Sequence, residues 1–281
     1  MKDKIILITG GSSGIGFATA EALAEKGAEI ILAARNEEKL KEACERIKAK
    51  TGNSKIKYYT VDFSSQKSIR ALAEKVKRDN QKIDVLINNA GIVYPEFKLN
   101  NDGLEMTIAT NHFAYFLLTN LLLDLIKKSD YARIVCVASG AHYQGKIDVE
   151  SFTKDTGYFI LKAYAQSKLA NVLFTAELAE RLKDTQVTIN CLHPGFVKTD
   201  IGNKNSKWYG KFFWTLLTNI GAITPEAGAK TSVYLTSSDD VKGISGKYFD
   251  KCLLKEPAPL AKDKALQKEL WRVSELLCPI H

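Results

Sequence analysis

The chain has 281 residues, of which 45% are hydrophobic, so it has enough apolar residues for a sizeable core and is not a disordered chain. A formal net charge of +8 would suit nucleic acid, but no nucleic-acid-binding motif occurs, and lysine-rich helix surfaces explain the charge more simply. The five cysteines are far apart with no C-x-x-C pair and the four histidines are scattered, so we predict reduced thiols, a cytoplasmic location and no metal site.

The N-terminus predicts no targeting segment. The first apolar run begins within a few residues of Met1, which leaves no room for a signal peptide or an N-terminal membrane anchor. The longest apolar stretch, residues 113–126, contains Asp124 and is shorter than the roughly 20 residues that a bilayer span requires. We therefore expect no transmembrane segment and interpret this stretch as a buried helix.

Strand-like and helix-like patterns alternate along the chain, first apolar and β-branched, then amphipathic. The predicted strands cover residues 4–8, 28–34, 56–61, 83–87, 133–138 and 187–192. The predicted helices cover residues 17–24, 37–50, 67–77, 104–127 and 163–183. This alternation indicates βαβ units, and so an α/β fold with a doubly wound (Rossmann) parallel sheet and helices on both faces.

The sequence has no internal repeat and no obvious linker, so we predict a single domain over residues 1–281. Residues 140–162 and 199–224 are irregular and follow strands, where they would line a substrate pocket. The second of these segments is the predicted lid, and residues 250–281 form a C-terminal extension.

A glycine-rich loop follows the first strand and leads into the first helix. Gly10 permits the turn off the strand, whereas Gly14 and Gly16 let the backbone approach a pyrophosphate and let the helix pack on the sheet. The helix N-terminus adds amide donors and a partial positive charge. In this strand–turn–helix context the loop predicts a dinucleotide cofactor.

The end of the second strand predicts which dinucleotide binds. An NAD site requires a carboxylate there for the ribose 2′-hydroxyl, but this sequence has Ala34 followed by Arg35. A guanidinium pairs with a 2′-phosphate, and Ser12 would add a hydroxyl donor. We predict NADP(H), with a solvated Arg35 at a helix start as the alternative.

The spacing Y-x-x-x-K occurs three times, at residues 94/98, 158/162 and 164/168. Only Tyr164 and Lys168 open a strongly periodic helix, on which they share a face. An ammonium beside a phenol lowers the phenol pKa from its usual value near 10, which tunes tyrosine for proton exchange with an alcohol or carbonyl.

These features together resemble the short-chain dehydrogenase/reductase family. The matching residues, in the family's order, are Thr9-Gly10-x-x-x-Gly14-x-Gly16, Asn88-Asn89-Ala90-Gly91, Asn111, Ser139, Tyr164-x-x-x-Lys168 and Pro194-Gly195. The segments around Tyr164, His193-Pro-Gly-Phe-Val and Ser245-Gly-Lys-Tyr-Phe resemble its retinol dehydrogenase-like branch.

The resemblance implies roles for individual residues. Tyr164 would be the general acid or base, Ser139 would polarise the substrate oxygen, Lys168 would hold the nicotinamide ribose, and Asn111 would anchor a water of the proton relay. Asp62 would contact the adenine and Thr199 the carboxamide. The cofactor-binding set predicted from the residues and the resemblance is Gly10, Ser12, Ser13, Gly14, Ile15, Gly16, Arg35, Asp62, Asn88, Ala90, Gly91, Tyr164, Lys168, Pro194, Gly195, Val197 and Thr199.

The resemblance implies an enzyme that interconverts a carbonyl and an alcohol on a small apolar substrate. Two alternatives stay open, namely a reductase of a ring double bond and a non-catalytic NADP(H)-sensing regulator. The basic aromatic segment 207–217 fits a pocket wall, a membrane-contacting helix or a helix packed on the core. By resemblance we also expect a homo-oligomer, formed through the helices at 104–127 and 163–183.

Overall fold

The computed structural model describes residues 1–197 and 223–280. Its strands are β1 (Ile5–Thr9), β2 (Glu29–Ala34), β3 (Ile56–Thr60), β4 (Val85–Asn88), β5 (Arg133–Val137), β6 (Thr188–His193), β7 (Tyr248–Asp250) and β8 (Leu253–Lys255). Its helices are α1 (Gly14–Glu25), α2 (Glu37–Thr51), α3 (Gln66–Asp79), α4 (Met106–Ile108), α5 (Ala114–Ile126), α6 (Ile160–Arg181), α7 (Pro225–Ser237) and α8 (Lys264–Leu277).

The strands form one eight-stranded sheet in the order β3-β2-β1-β4-β5-β6-β7-β8. All neighbouring pairs are parallel except β7 and β8, which pair antiparallel. The strand order reverses direction between β1 and β4, which is where open α/β sheets bind their ligands. The predicted doubly wound α/β fold is confirmed.

Both faces of the sheet are buried because successive side chains of a strand point to opposite sides. In β1, Ile6 and Ile8 join the core beneath α1 and α2, whereas Leu7 joins the core beneath α3, α5 and α6. This explains why the strands appear in the sequence as continuous apolar runs. Because these strands are parallel, the carboxyl ends of β1, β4, β5 and β6 lie together at one edge of the sheet.

The predicted helical stretch at 104–127 is confirmed over residues 106–126. A π-helical turn at Ala109–Phe113, which the sequence did not indicate, joins α4 to α5 within it. The sequence prediction also assigned no elements beyond residue 192, where the structure has α7, β7, β8 and α8. The predicted irregular stretch 140–162 contains two short 3-10 turns, Gly140–Gln144 and Glu150–Phe152, and the first residues of α6.

The C-terminal helix α8 covers the helices through which we expected self-association. The Trp271 ring stacks on Phe174 of α6 at a centroid distance of 5.9 Å and meets Phe116 of α5 edge-on at 5.0 Å. Trp271 and Leu270 are both buried in the same core as α5 and α6. The face of α5 and α6 that carries Phe116 and Phe174 is therefore covered by α8, and the expected homo-oligomer stays a prediction.

Candidate active site

The loop after β1 is shaped by backbone contacts that leave no room for side chains. A Cβ added at Gly16 would lie 2.4 Å from the carbonyl oxygen of Gly10, far inside van der Waals contact. Gly10 has a φ of +68°, and a Cβ there would lie 3.0 Å from Cα of Ala90. Glycine is therefore required at both positions, as the sequence pattern predicted.

The N-terminus of α1 is open to an anion. Its N-cap residue, Ser13, makes no side-chain capping bond, and the first turn contains no acidic residue. Ser13 is exposed, whereas Ser12, Gly14 and Ile15 are half-buried. First-turn amides without side-chain partners, together with the helix dipole, suit a diphosphate, so the loop fits the predicted dinucleotide.

Asn89 holds this loop against the end of β4, and sequence reasoning did not assign it a role. Its Nδ2 donates to the carbonyl oxygen of Thr9 at 2.8 Å. The Thr9 hydroxyl oxygen in turn accepts from the amides of Asn89 and Ala90 at 2.8 and 2.9 Å. The sequence did contain a sign of this contact. Thr9-Gly10 and Asn88-Asn89 end β1 and β4, which are neighbours where the strand order reverses.

Asn88, which we predicted to line the cofactor, directs its side chain into the core. Its side chain is fully buried, and Nδ2 donates to the Thr119 hydroxyl at 2.9 Å, inside the core beneath α5. Ala90 is also buried, whereas Gly91 is half-buried. Only the backbone of Asn88 is left to contribute to the cleft.

Arg35 and Asp62 follow β2 and β3 at the edge of the sheet. Arg35 is exposed, and its guanidinium makes no hydrogen bond or ion pair with the residues that the structure describes. Asp62 is half-buried, and its Oδ1 accepts from the amide and hydroxyl of Ser64 at 2.9 and 2.8 Å. Arg35 is thus free for a ligand, whereas Asp62 already closes the turn before α3.

Residues after β6 meet the glycine loop. Pro194 and Val197 lie around Gly228 of α7, where an added Cβ would be 2.5 Å from Cγ2 of Val197 and 3.4 Å from Cγ1 of Ile15. Gly195 has a φ of +89°. The fold therefore brings together predicted cofactor residues from the first and sixth strands. Thr199 and the segment 207–217 lie outside the described residues. Of the lid predicted at 199–224, only residues 223 and 224 are described.

The first turns of α6 carry Tyr164 and Lys168. Lys168 is buried, its Nζ donates to the carbonyl oxygen of Val137 in β5 at 3.1 Å, and it lies 5.6 Å from the centroid of the Tyr164 ring. Ser139 follows the same strand, and its Oγ accepts from the amide of Ala141 at 3.2 Å. The structure thus brings together all three residues that we predicted for proton transfer.

Neither of the other two Y-x-x-x-K pairs lies within a helix. Tyr94 and Lys98 lie in the segment after β4, and Tyr158 precedes α6. The Tyr158 hydroxyl donates to the carbonyl oxygen of Tyr94 at 2.7 Å, which ties the segment after β4 to the segment before α6. These tyrosines therefore hold two segments together and do not share a helix face with their lysines.

The pKa of Tyr164 differs from the sequence expectation. Burial raises the pKa of the phenol, and a hydrogen bond with Ser139 opposes that shift. Burial also lowers the pKa of Lys168 to about 8, which weakens the ammonium that was expected to favour the phenolate. Desolvation is therefore the largest influence on the pKa of both groups.

Asn111 lies in the π-helical turn and is fully buried. Its Oδ1 accepts from the amide of Ile92 at 2.8 Å, and its Nδ2 donates to the carbonyl of Ile92 and to the Ser167 hydroxyl, both at 2.9 Å. Oδ1 also faces Gly91, where an added Cβ would be 3.2 Å from it and 3.6 Å from Nζ of Lys168. Asn111 thus joins the segment after β4 to α6 beside Tyr164 and Lys168.

Gln166 holds the long segment between Ser139 and Tyr164 in place, a function that sequence reasoning missed. Its Oε1 accepts from the amide of Asp148 at 2.7 Å, and its Nε2 donates to the Ser151 hydroxyl at 2.9 Å. The side chain is almost completely buried. The only indication of this function in the sequence was a polar residue within an apolar helical pattern.

Residues 1–197 and 223–280 contain neither a cluster of metal ligands nor a helix that could span a bilayer. No group of three or more histidine, cysteine, aspartate or glutamate residues there could hold a metal ion. Within the same ranges, none of the helices combines the length and the apolar character that crossing a bilayer demands.

The chain is similar to known enzymes over almost its full length. A family model described as short chain dehydrogenase matches residues 4–210. Retinol dehydrogenase 13 of Homo sapiens is 41% identical over 98% of this chain and 84% of its own length. Retinol dehydrogenase 14 of Mus musculus is 38% identical over 100% of this chain and 87% of its own length.

Solved structures agree with these relatives. An uncharacterized protein of Mycobacterium paratuberculosis has a TM-score of 0.79 and 30% identity over 99% of this chain and 94% of its own. A short chain dehydrogenase of Escherichia coli CFT073, solved with NADPH, has a TM-score of 0.69 and 26% identity over 89% of this chain and 97% of its own. The chain therefore belongs to the short-chain dehydrogenase family, whose oxidoreductases act on alcohol and carbonyl groups with a nicotinamide coenzyme, and to its retinol dehydrogenase-like branch.

Proposed function

We propose that this chain is an NADP(H)-dependent oxidoreductase that interconverts a carbonyl and an alcohol on a small apolar substrate. One observation carries the proposal. Tyr164 and Lys168 are held together on α6 beside Ser139, at the edge of the sheet where the glycine loop leaves a cradle for a diphosphate. This arrangement supports an acid–base role for Tyr164 next to a dinucleotide site.

The side chains have separate tasks in this proposal. Tyr164 donates a proton to the carbonyl oxygen in reduction and takes it back in oxidation. Because the Ser139 oxygen already accepts from the amide of Ala141, its hydroxyl proton is left to donate to the substrate oxygen. Lys168 binds the ribose hydroxyls. A bound nicotinamide coenzyme supplies or accepts the hydride.

The electrostatics of the site favour reduction at neutral pH. Burial raises the pKa of Tyr164, so the phenol is protonated and ready to donate. Oxidation needs the phenolate, whose population grows as the pH rises. We therefore expect the rate of alcohol oxidation to increase with pH over a range in which carbonyl reduction does not.

Arg35 supports the choice of NADP(H). Its exposed guanidinium follows β2, and the next residue, Asn36, caps α2 by accepting from the amide of Lys39 at 2.8 Å. A guanidinium that pairs with none of the residues 1–197 and 223–280 suits a 2′-phosphate in this position. Structures of related short chain dehydrogenases from Shigella flexneri and Escherichia coli contain NADP and NADPH.

Aromatic and aliphatic side chains at the same edge support an apolar substrate. Phe159 and Leu161, at the start of α6, are 52% and 54% exposed. Phe97, in the segment after β4, packs edge-on against Tyr158 at a centroid distance of 6.1 Å. The relatives named retinol dehydrogenase agree with a bulky apolar alcohol or aldehyde.

The decisive experiment follows NADPH oxidation by the purified chain against a panel of retinal, steroid ketones and aromatic aldehydes. At least one member should be reduced, and Tyr164→Phe should lower kcat by about 1,000-fold while the Kd for NADPH stays unchanged. Tyr158→Phe removes a phenol at the same spacing from a lysine and should change kcat only slightly.

The other outcomes separate the alternatives. Reduction of a conjugated ring double bond, with no carbonyl reduced, would identify a ring reductase. Tight NADPH binding with no turnover on any member of the panel would indicate a sensing regulator. Full activity of Tyr164→Phe would place the proton donor elsewhere.

Coenzyme choice has its own test. Arg35→Asp replaces the guanidinium with a carboxylate that repels a 2′-phosphate and accepts from a 2′-hydroxyl. We expect kcat/KM with NADPH to fall by about 100-fold while the value with NADH rises, from roughly 2–3 kcal/mol of charge-assisted hydrogen bonding. Equal kcat/KM values for the two coenzymes in the unmodified chain would contradict the assignment.

A further inference from the structure

The ring of His142 connects the turn after Ser139 to the C-terminal part of the chain. His142 is fully buried, and its Nδ1 lies 2.7 Å from the carbonyl oxygen of Ser139. Its Nε2 accepts from the backbone amide of Ala258 at 3.1 Å. Because a backbone amide only donates, Nε2 carries no proton. Nδ1 must then be the protonated nitrogen, and it donates to Ser139.

The ring has little freedom to turn. It packs against Tyr143 at a centroid distance of 4.1 Å and against Tyr248 of β7 at 4.6 Å. Ala258 is itself buried, just before the 3-10 turn Pro259–Lys262. If Nε2 were protonated, its N–H would face the N–H of Ala258. This hydrogen bond therefore forms only while the ring is neutral.

A second histidine holds the other side of the same peptide group. The amide of Gly140 donates to Nδ1 of His193, at the end of β6, at 3.1 Å. The peptide group between Ser139 and Gly140 therefore has its oxygen bound by one imidazole and its N–H bound by another. Fixing this peptide plane fixes ψ of Ser139, and with it the direction in which the serine Cα–Cβ bond points.

We propose that His142 is a positioning residue that ties the Ser139 peptide to the C-terminal segment Glu256–Ala258 and thereby aims the serine hydroxyl. The inference rests on the proposed function, in which that hydroxyl polarises the substrate oxygen. The C-terminal segment is accordingly part of the active-site scaffold.

The test compares four variants in the full chain. His142→Phe keeps an aromatic ring between Tyr143 and Tyr248 but removes both nitrogens, and we expect kcat to fall by about 100-fold with the Kd for NADPH unchanged. His142→Gln restores one donor and one acceptor and should recover most of the lost kcat. Ser139→Ala sets the loss expected when the hydroxyl itself is absent.

Tyr143→Phe is the matched control. The Tyr143 hydroxyl donates to the carbonyl oxygen of Glu256 at 2.5 Å, so it joins the same two segments without touching Ser139. We expect its kcat to stay within about twofold of the unmodified chain, because Ser139 keeps both of its histidine contacts. A loss as large as that of His142→Phe would show general loosening and would overturn the inference.

The remaining outcomes are also decisive. Unchanged kcat in His142→Phe would overturn the positioning role, while a large loss in Ser139→Ala would leave the proposed function standing. Unchanged turnover in Ser139→Ala would instead contradict the proposed function. If His142→Phe does not fold, nitrogen NMR of the unmodified chain decides, because a His142 ring protonated at Nε2 at neutral pH is incompatible with the inference.

Discussion

The glycine loop and the face of α6 around Tyr164 lie at the same edge of the sheet, but different forces hold them. The loop depends on backbone atoms that nearly touch, such as the Gly10 carbonyl and Cα of Gly16. The α6 face depends on buried polar side chains, above all Lys168, whose pKa burial lowers to about 8. The loop should therefore be sensitive to added volume, and the α6 face to changes of charge and hydrogen bonding.

Adding one methyl group to the loop should have the largest effect on stability. Gly16→Ala would place Cβ 2.4 Å from the Gly10 carbonyl oxygen and 2.5 Å from Nδ2 of Asn89, and backbone atoms cannot yield cheaply. We expect about 3 kcal/mol of destabilisation in urea unfolding and at least 100-fold weaker NADPH binding.

Gly11→Ala is the control for that prediction. Its Cβ would meet the end of the Leu32 side chain at 2.7 Å, and that methyl group is able to move. We expect a loss of only about 1 kcal/mol. Equal losses for the two variants would mean that the loop is not held by close backbone contact.

Removing the buried ammonium of Lys168 should raise the stability of the folded chain, whereas added volume in the loop should lower it. The pKa of Lys168 falls from 10.5 to about 8, which corresponds to roughly 3 kcal/mol of destabilisation, offset in part by about 1 kcal/mol from its hydrogen bond to Val137. We expect Lys168→Met to raise the free energy of unfolding by about 2 kcal/mol at pH 7 and to reduce kcat at least 100-fold.

The pH dependence checks the cause of that gain. Between pH 8 and 10.5 the unfolded chain binds more protons at Lys168 than the folded chain, so the stability of the unmodified protein rises with pH there. The advantage of Lys168→Met should therefore be full below pH 8 and disappear as the pH approaches 10.5. A gain that is constant with pH would contradict the desolvation explanation.

The smallest effect concerns Asn89, which uses a side chain to hold the loop. Asn89→Ala removes the bond to the Thr9 carbonyl, and we expect a loss of about 1 kcal/mol in stability and roughly tenfold weaker NADPH binding. Asn53→Ala is the control, because Asn53 donates to the carbonyls of Ala24 and Ala28 at 3.0 and 2.8 Å, at the opposite edge of the sheet. Asn53→Ala should lower stability by a similar amount without changing the affinity for NADPH.

The predictions that depended on local pattern agree with the structure. The apolar runs and the glycine spacing predicted the first six strands and the loop, because both are set by side-chain burial and backbone space at neighbouring residues. The helical spacing of Tyr164 and Lys168 likewise placed both on one turn of α6. The π-helical turn at Ala109–Phe113 left no such local pattern.

The features that the sequence did not indicate depend on contacts between distant residues. Asn88 and Asn89 are adjacent in sequence, yet the strand turns one into the core and the other toward the glycine loop. His142 and Ala258 are joined only because β7 and β8 extend the sheet beyond β6. No local pattern could indicate that pairing, since it is set by which strands become neighbours.

The sequence by itself determined the chemistry and the order of the elements, because the spacing of apolar residues and glycines acts over a few residues at a time. Only the tertiary structure decided the electrostatics of the site and the elements that support it. Burial sets the pKa values of Tyr164 and Lys168, and burial depends on everything that packs around α6. Desolvation is a property of the assembled fold, which no single stretch of sequence contains.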